Sequence, residues 1–268
     1  MNLKSGHLRN LTLLCAALLL APCLFAEPSS TAIAAFNTYA HTVESRLAQQ
    51  HSTPSSFLAL ASDPATRNRI RSGEVLVEQL ATPTTSGALL HHWRATAFVP
   101  NTTAADFESL LQNFSAYPRN FAPQIVSSTV LARTPTNTLL RLRTRQHHVI
   151  TVVLDTTVDV TFATLDSTHG YSISRSTRVD QITPAGDNGF LYSLNTYWAY
   201  EQRDGGLYLQ IESLSLTRSI PHGLAWAIQP YLESIPRESL VFTLTSARNA
   251  LQKASTISPP ARTGTPTL

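Results

Sequence analysis

The sequence predicts an α+β protein in which an antiparallel sheet is closed by one long C-terminal helix. Three observations carry this. From Phe190 to Arg218, two runs alternate apolar and polar residues around Arg203-Asp204-Gly205-Gly206. Asp-Gly between alternating runs marks a tight hairpin, because Gly accepts the positive φ such turns need. From Val126 to Val179, further period-two runs succeed one another with turn residues between them. After Pro221 and Gly223 the period changes to that of a helix, which continues to about Gln252.

With Asp204 and Gly205 as the turn, Arg203 faces Gly206 and the pairing of the whole hairpin follows. Trp198 then lies opposite Ile211, Tyr200 opposite Leu209, Thr196 opposite Ser213, Leu194 opposite Ser215 and Tyr192 opposite Thr217. One face therefore sets large rings on one strand against mostly small or hydroxylated residues on the other. Such a face is either filled by the C-terminal helix or leaves room for a ligand.

The chain opens with Lys4 and Arg9 and no acid, then an apolar stretch from Leu11 to Ala26 that is too short to span a bilayer. These are the marks of a signal peptide with cleavage after Ala26, which makes the mature protein periplasmic or secreted. The alternative is a lipoprotein signal, Leu20-Ala21-Pro22-Cys23, in which Cys23 is lipidated. Both cysteines, Cys15 and Cys23, lie in this segment, so a chain starting at residue 27 has neither a disulfide nor a thiol nucleophile. Loss of Lys4 and Arg9 takes the formal charge from +3 to +1 (3 − 2). A nearly neutral chain with 14% charged residues argues against a nucleic-acid partner.

Ser29, Ser30 and Thr31 are helix-capping residues, and Ile33, Phe36, Ala40, Val43 and Leu47 then recur at helical spacing. The polar side of this helix is not basic, so its apolar stripe predicts packing on the domain, with Phe242 as a docking partner. Ser52–Ser56 reads as a linker and Pro64–Arg71 as a short helix. Strands follow around Val75 and Val77 and over Leu89–Val99. Thr103-Ala-Ala-Asp106 has the form of a capping box ahead of Phe107, Leu110, Leu111 and Phe114. Strands over Val126–Arg133, Thr138–Arg145, Val149–Phe162 and Tyr171–Val179 complete a meander. Arg141, Arg143 and Arg145 share one face and are expected to pair partly with Asp155 and Asp159 next door. Arg175 and Arg178 fall on opposite faces of their strand. In the terminal helix Pro236 suits the first turn, and Leu240, Leu244, Ala247 and Leu251 form the buried stripe.

This order of elements resembles the START-like (SRPBCC) superfamily with its helix-grip fold. The resemblance is strongest in Trp198-x-Tyr200, the Asp204-Gly205-Gly206 turn, Leu214 to Leu224 and Ile235-Pro-Arg-Glu-Ser-Leu240, where the chain is similar to exported bacterial members. It covers residues 73–252, after a helical extension over 27–72 and before a disordered tail over 253–268. It implies a curved sheet gripping the C-terminal helix around an apolar cavity that holds a lipid, sterol, hopanoid or polyketide. Inward positions of the expected strands are Val152, Leu154, Tyr192, Leu194, Trp198, Tyr200, Leu209, Ile211 and Ser213, with Leu240 and Leu244 facing them. Members of the superfamily often place one arginine against an acidic headgroup, and Arg178 is the candidate here, or Arg175 if the phase differs. Any bulge inverts such assignments downstream of it.

No catalytic motif accompanies these residues. The pairs His91-His92 and His147-His148 point to opposite faces of their strands and cannot chelate one metal in regular geometry. There is no His-Glu-x-x-His helix, Gly-x-Ser-x-Gly elbow or glycine-rich phosphate loop. Glu212 faces Tyr197, away from the cavity. The expected function is binding of a hydrophobic small molecule, without cofactor or metal. The alternatives are a cyclase, dehydratase or hydrolase using the same cavity, and an envelope protein-interaction module whose protein partner is unknown.

Overall fold

The computed structural model of the chain describes residues 28–59, 63–147, 151–182, 190–219 and 225–257. The expected leader over 1–26, the lipidation alternative at Cys23 and the tail beyond Ile257 lie outside these residues. Eight strands form one sheet: β1 (Leu76–Leu80), β2 (Ala88–Pro100), β3 (Ile125–Arg133), β4 (Asn137–His147), β5 (Thr151–Asp166), β6 (His169–Ile182), β7 (Leu191–Arg203) and β8 (Gly206–Arg218). Their order is β1-β2-β8-β7-β6-β5-β4-β3, every pair antiparallel. The helices are α1 (Ser30–Gln50), α2 (Pro64–Arg71), α3 (Ala104–Gln112), α4 (Tyr117–Asn120) and α5 (Ala225–Ile257).

The β7–β8 hairpin turns through Asp204 at φ 57° and Gly205 at φ 76°, so the Asp-Gly pair takes the positive angles its sequence anticipates. Arg203 pairs with Gly206, Tyr200 with Leu209, Trp198 with Ile211, Thr196 with Ser213 and Leu194 with Ser215. One residue further out, the ladder slips. Leu191 pairs with Thr217 and Ser193 with Leu216, which leaves Tyr192 as the extra residue of a bulge. A second bulge interrupts β6: Arg178 pairs with Thr157, but Ser176 already pairs with Val158, and Thr177 is the extra residue.

α5 packs on one face of the sheet, called the inner face. Leu240, Leu244, Ala247 and Leu251 are buried there against Ala95, Ala97 and Val99 of β2, Leu209 and Ile211 of β8, and Trp198 and Tyr200 of β7. α3 adds Phe107, whose ring stands edge-on to Trp198 and Tyr200, both at 5.3 Å. The Thr103–Asp106 capping box is formed in full. A sheet gripping a long C-terminal helix in this way is the helix-grip arrangement.

α5 is longer than its sequence pattern indicated. It starts at Ala225 and reaches Ile257, so Pro236 lies in its interior instead of its first turn. A proline inside a helix forfeits one backbone hydrogen bond, but a helix of 33 residues spans ~50 Å and lies along strands of 13 residues, ~43 Å long. Leu240, Leu244, Ala247 and Leu251, all C-terminal to the proline, hold the helix on the sheet.

α1 packs on the opposite, outer face. Ser29 caps it, its hydroxyl accepting from the Ala32 amide at 3.1 Å. Ala32, Phe36, Ala40, Val43 and Leu47 are buried against Ala88, Leu90, Tyr197, Leu214 and Leu216. Burying each large member of this stripe stabilises by about 1.5–3 kcal/mol. Phe242 is not its docking partner, because that ring packs with the inner core on the other side of the sheet.

Candidate functional site

Cross-strand pairing divides the inner face into rows. Two rows, Ala97–Leu209–Tyr200–Gly170 and Ala95–Ile211–Trp198–Ser172, lie under α5 and α3 and form the packed core. Tyr200 runs over Gly170, where any Cβ would collide with the phenol ring and hydroxyl. Burial pushes the Tyr200 hydroxyl well above the usual phenol range, which suits a group that only packs. The sequence candidates Trp198, Tyr200, Leu209, Ile211, Leu240 and Leu244 all belong to this packed half.

The next row is different in kind. Trp93 pairs with Ser213, Ser213 with Thr196, and Thr196 with Ser174, which sets three hydroxyls side by side across three strands. Directly opposite residues of this sort stand about 4.5–5.5 Å apart. Trp93 is 7% exposed, and its indole N–H is buried without a hydrogen-bond partner among the described residues. Beyond it comes His91–Ser215–Leu194, in which the His91 Nε2 and the Thr217 hydroxyl are 2.9 Å apart. Leu154 and Thr156 of β5 are buried on the same face, and Val152 continues their series half-buried. Leu194, Ser213, Val152 and Leu154 thus fall outside the packed half.

Tyr192 and Arg178 do not reach this face. The bulge at Tyr192 turns its ring to the outer face, where it joins the α1 cluster and lies 5.2 Å under the Arg218 guanidinium. The bulge at Thr177 restores Arg178 to the face of Arg175, so the two arginines share the outer face instead of dividing between two. Arg178 is 70% exposed and holds Asp180 at 2.6 Å. Arg175 makes two hydrogen bonds with Glu44 of α1, at 2.7 and 2.8 Å. Both bulges act as period-two patterns require: one extra residue sends every later side chain to the other side.

Charge is concentrated on the outer face. Glu212, 1% exposed, receives Arg46 of α1 at 2.5 Å and lies 2.9 Å from the His92 Nε2, while the Tyr39 hydroxyl lies 3.0 Å from the His92 Nδ1. Burial opposes ionisation of Glu212, but His92 and Arg46 outweigh it and hold the carboxyl below its usual range. Arg143 binds Asp155 through two contacts of 2.7 and 2.6 Å, with Arg141 at 3.9 Å, and Asp159 accepts from Asn137. Arg141 and Arg143 of the β4 stripe thus meet Asp155 on the outer face, while Asp159, the other expected partner, takes Asn137. Sequence reasoning placed Glu212 on this face but missed its partners, because Arg46 and Tyr39 arrive from a helix more than 160 residues away in the chain.

The Trp93–Ser213–Thr196–Ser174 row was also only half legible. Thr196 and Ser213 were paired from the hairpin, whereas Trp93 and Ser174 come from strands whose register the turn does not set. Among the described residues no group of three or more histidines, cysteines or carboxylates could hold a metal ion. Among the same residues no helix is long and apolar enough to cross a membrane.

No protein-family model matches the chain, and no curated protein matches it. Several solved structures are similar to it. A START superfamily protein from Mycobacterium smegmatis aligns at 17% identity over 61% of this chain and 98% of its own, with a TM-score of 0.44. The Zhui aromatase/cyclase of a Streptomyces species aligns at 14% identity over 66% and 100%, with a TM-score of 0.47. A STAR-related lipid transfer protein from Xanthomonas axonopodis aligns at 17% identity over 65% and 98%, with a TM-score of 0.42. These are likenesses of fold, and the helix-grip architecture of this chain is established by its own sheet and C-terminal helix.

Proposed function

We propose that the protein binds a hydrophobic small molecule between the inner face of the sheet and the N-terminal half of α5. The observation that carries this reading is the division of the inner face. Ring and aliphatic side chains pack densely under the C-terminal half of α5, while the neighbouring rows carry small hydroxylated residues beside Leu194, Leu154 and Val152. A half-sheet built to pack another helix would carry large apolar groups there, as the outer face does under α1. Small groups beside aliphatic ones suit an apolar body that the protein itself does not supply. The apolar signature of residues 1–26 supports export, so the ligand would be met outside the cytoplasm.

Native mass spectrometry of the purified protein, before and after solvent extraction, tests the reading. A retained mass of a few hundred daltons that extraction removes, and that a Ser213→Trp variant no longer holds, is the expected outcome. A wild-type protein that carries no such mass and binds none of a panel of sterols, polyketides and fatty acids would overturn it.

A further inference from the structure

We infer that the ligand is uncharged and carries an alcohol, ketone or ester oxygen, which the Trp93–Ser213–Thr196–Ser174 row receives. The inference rests on the binding reading above and narrows it to a class of molecule. Three observations lead to it.

The first is the orphan donor. The Trp93 indole N–H is buried with no partner among the described residues, on a residue 7% exposed that stands beside Ser213 in the ladder. An amide-like donor left unpaired inside a protein costs about 1–3 kcal/mol, so a buried donor is ordinarily matched. An indole can only donate, which makes an oxygen acceptor its complement.

The second is the row itself. Ser213, Thr196 and Ser174 have hydroxyls that make no side-chain hydrogen bond among the described residues. They form one continuous line with Trp93 across four strands. Hydroxyls both donate and accept, so this line can satisfy an alcohol as well as a carbonyl.

The third is where the cations went. A carboxylate, phosphate or sulfate drawn into this face would need a positive partner, because an unpaired buried charge is prohibitively costly. Arg94, Arg175 and Arg178 all lie on the outer face, engaged with Glu78, Glu44 and Asp180. Arg141 and Arg143 are drawn to Asp155. Residues 148–150, 183–189 and 220–233 contain no lysine or arginine at all. The inward Arg178 that would have served a charged headgroup is absent from this row; His91, one row away, is engaged with Thr217, and Arg237 in the N-terminal half of α5 is exposed.

Matched ligand pairs with one apolar body and two headgroups make the test. Pregnenolone is compared with pregnenolone sulfate, and oleyl alcohol with oleate at pH 8, by quenching of tryptophan fluorescence in the full exported chain. The neutral member of at least one pair should bind at least tenfold tighter than its charged partner. The double variant Ser213→Ala, Thr196→Val should weaken that binding about tenfold while its melting temperature stays within a few degrees of wild type. Equal or tighter binding of the sulfate or of oleate would overturn this inference and leave the binding reading standing. Neutral binding unchanged in the double variant would likewise overturn it, by placing the oxygen elsewhere. If no member of either pair binds and mass spectrometry finds no retained molecule, the binding reading fails and takes the inference with it.

Discussion

The two faces of the sheet each carry a long helix, and they hold it by different physics. On the inner face α5 is seated on a continuous apolar core, in which Leu244 and Ala247 are fully buried. On the outer face α1 lays down an equally regular stripe, but ion pairs and hydrogen bonds flank it. Arg46 reaches Glu212, and Glu44 takes Arg175 while accepting from the Tyr197 hydroxyl at 3.2 Å. Apolar burial is strong and non-directional. Buried charge pairs add little net stability but penalise every wrong register. Apolar area therefore seats both helices, the outer one flanked by ion pairs as well, and those pairs lie on the face of the sheet opposite α5.

The largest effect expected from breaking this contrast is on the inner side. Leu244→Ala should cost about 2–5 kcal/mol in denaturant unfolding, because α5 cannot collapse into the space the side chain leaves. A loss under about 1 kcal/mol would mean that this core does not hold the helix.

Acid should strain the outer side first. His51 is 6% exposed and stacks on Phe57 at 4.7 Å, and burial holds its pKa down at about 4 against 6.5 for the unfolded chain. Between those values the unfolded state takes up the proton and the folded state does not, so stability falls as pH drops from 6.5 toward 4. The loss amounts to up to about 3 kcal/mol. Glu212 acts in the same direction: its depressed folded pKa gives a contribution present above the unfolded value and lost as pH falls through the folded one. Hydrogen exchange at pH 4.5 should open α1 before α5, and His51→Phe should flatten the pH dependence above pH 4.

Next in size, Glu212→Gln should cost about 1–3 kcal/mol, since Arg46 and His92 would then face a neutral group. Replacing Glu212 and His92 together by leucine should recover much of that loss, and proteolysis within residues 30–50 would report whether α1 stays docked. Equal costs for the single and double variants would argue that the network sets no registry.

The smallest expected effect is the most telling for the site. Thr196→Val should change stability by less than about 1 kcal/mol and should not lower it, because the hydroxyl it removes has no side-chain hydrogen-bond partner among the described residues. A clear loss would show that the row serves folding.

Much of this architecture was legible in the sequence, and for local reasons. The Asp204-Gly205 turn has only one backbone solution, and five cross-strand pairs counted outward from it, Arg203–Gly206 through Leu194–Ser215, are the pairs observed. The Thr103 capping box and the α1 stripe from Phe36 to Leu47 are encoded within a few turns of helix and formed as written, but Ile33, read as the first member of that stripe, is 43% exposed and Ala32 is buried in its place. The histidine pair His91-His92 divides between the faces, one toward Thr217 and the other toward Glu212, as alternation demands.

What only the tertiary structure decided is where the alternation breaks and what an exposed stripe meets. The bulge at Thr177 falls between β5 and β6 and the bulge at Tyr192 between β7 and β8, with no glycine or proline next to either to announce it. Each moved one predicted cavity residue, Arg178 or Tyr192, to the outer face. The terminal helix likewise runs on through Pro236, where a local reading of proline places a helix start. The sequence by itself determined which residues alternate, turn and cap, because those preferences act over a few bonds. The face on which each charge came to rest was decided by packing between elements far apart in the chain: Arg46 and Glu44 of α1 meet Glu212 and Arg175 on the outer face, opposite the core that seats α5.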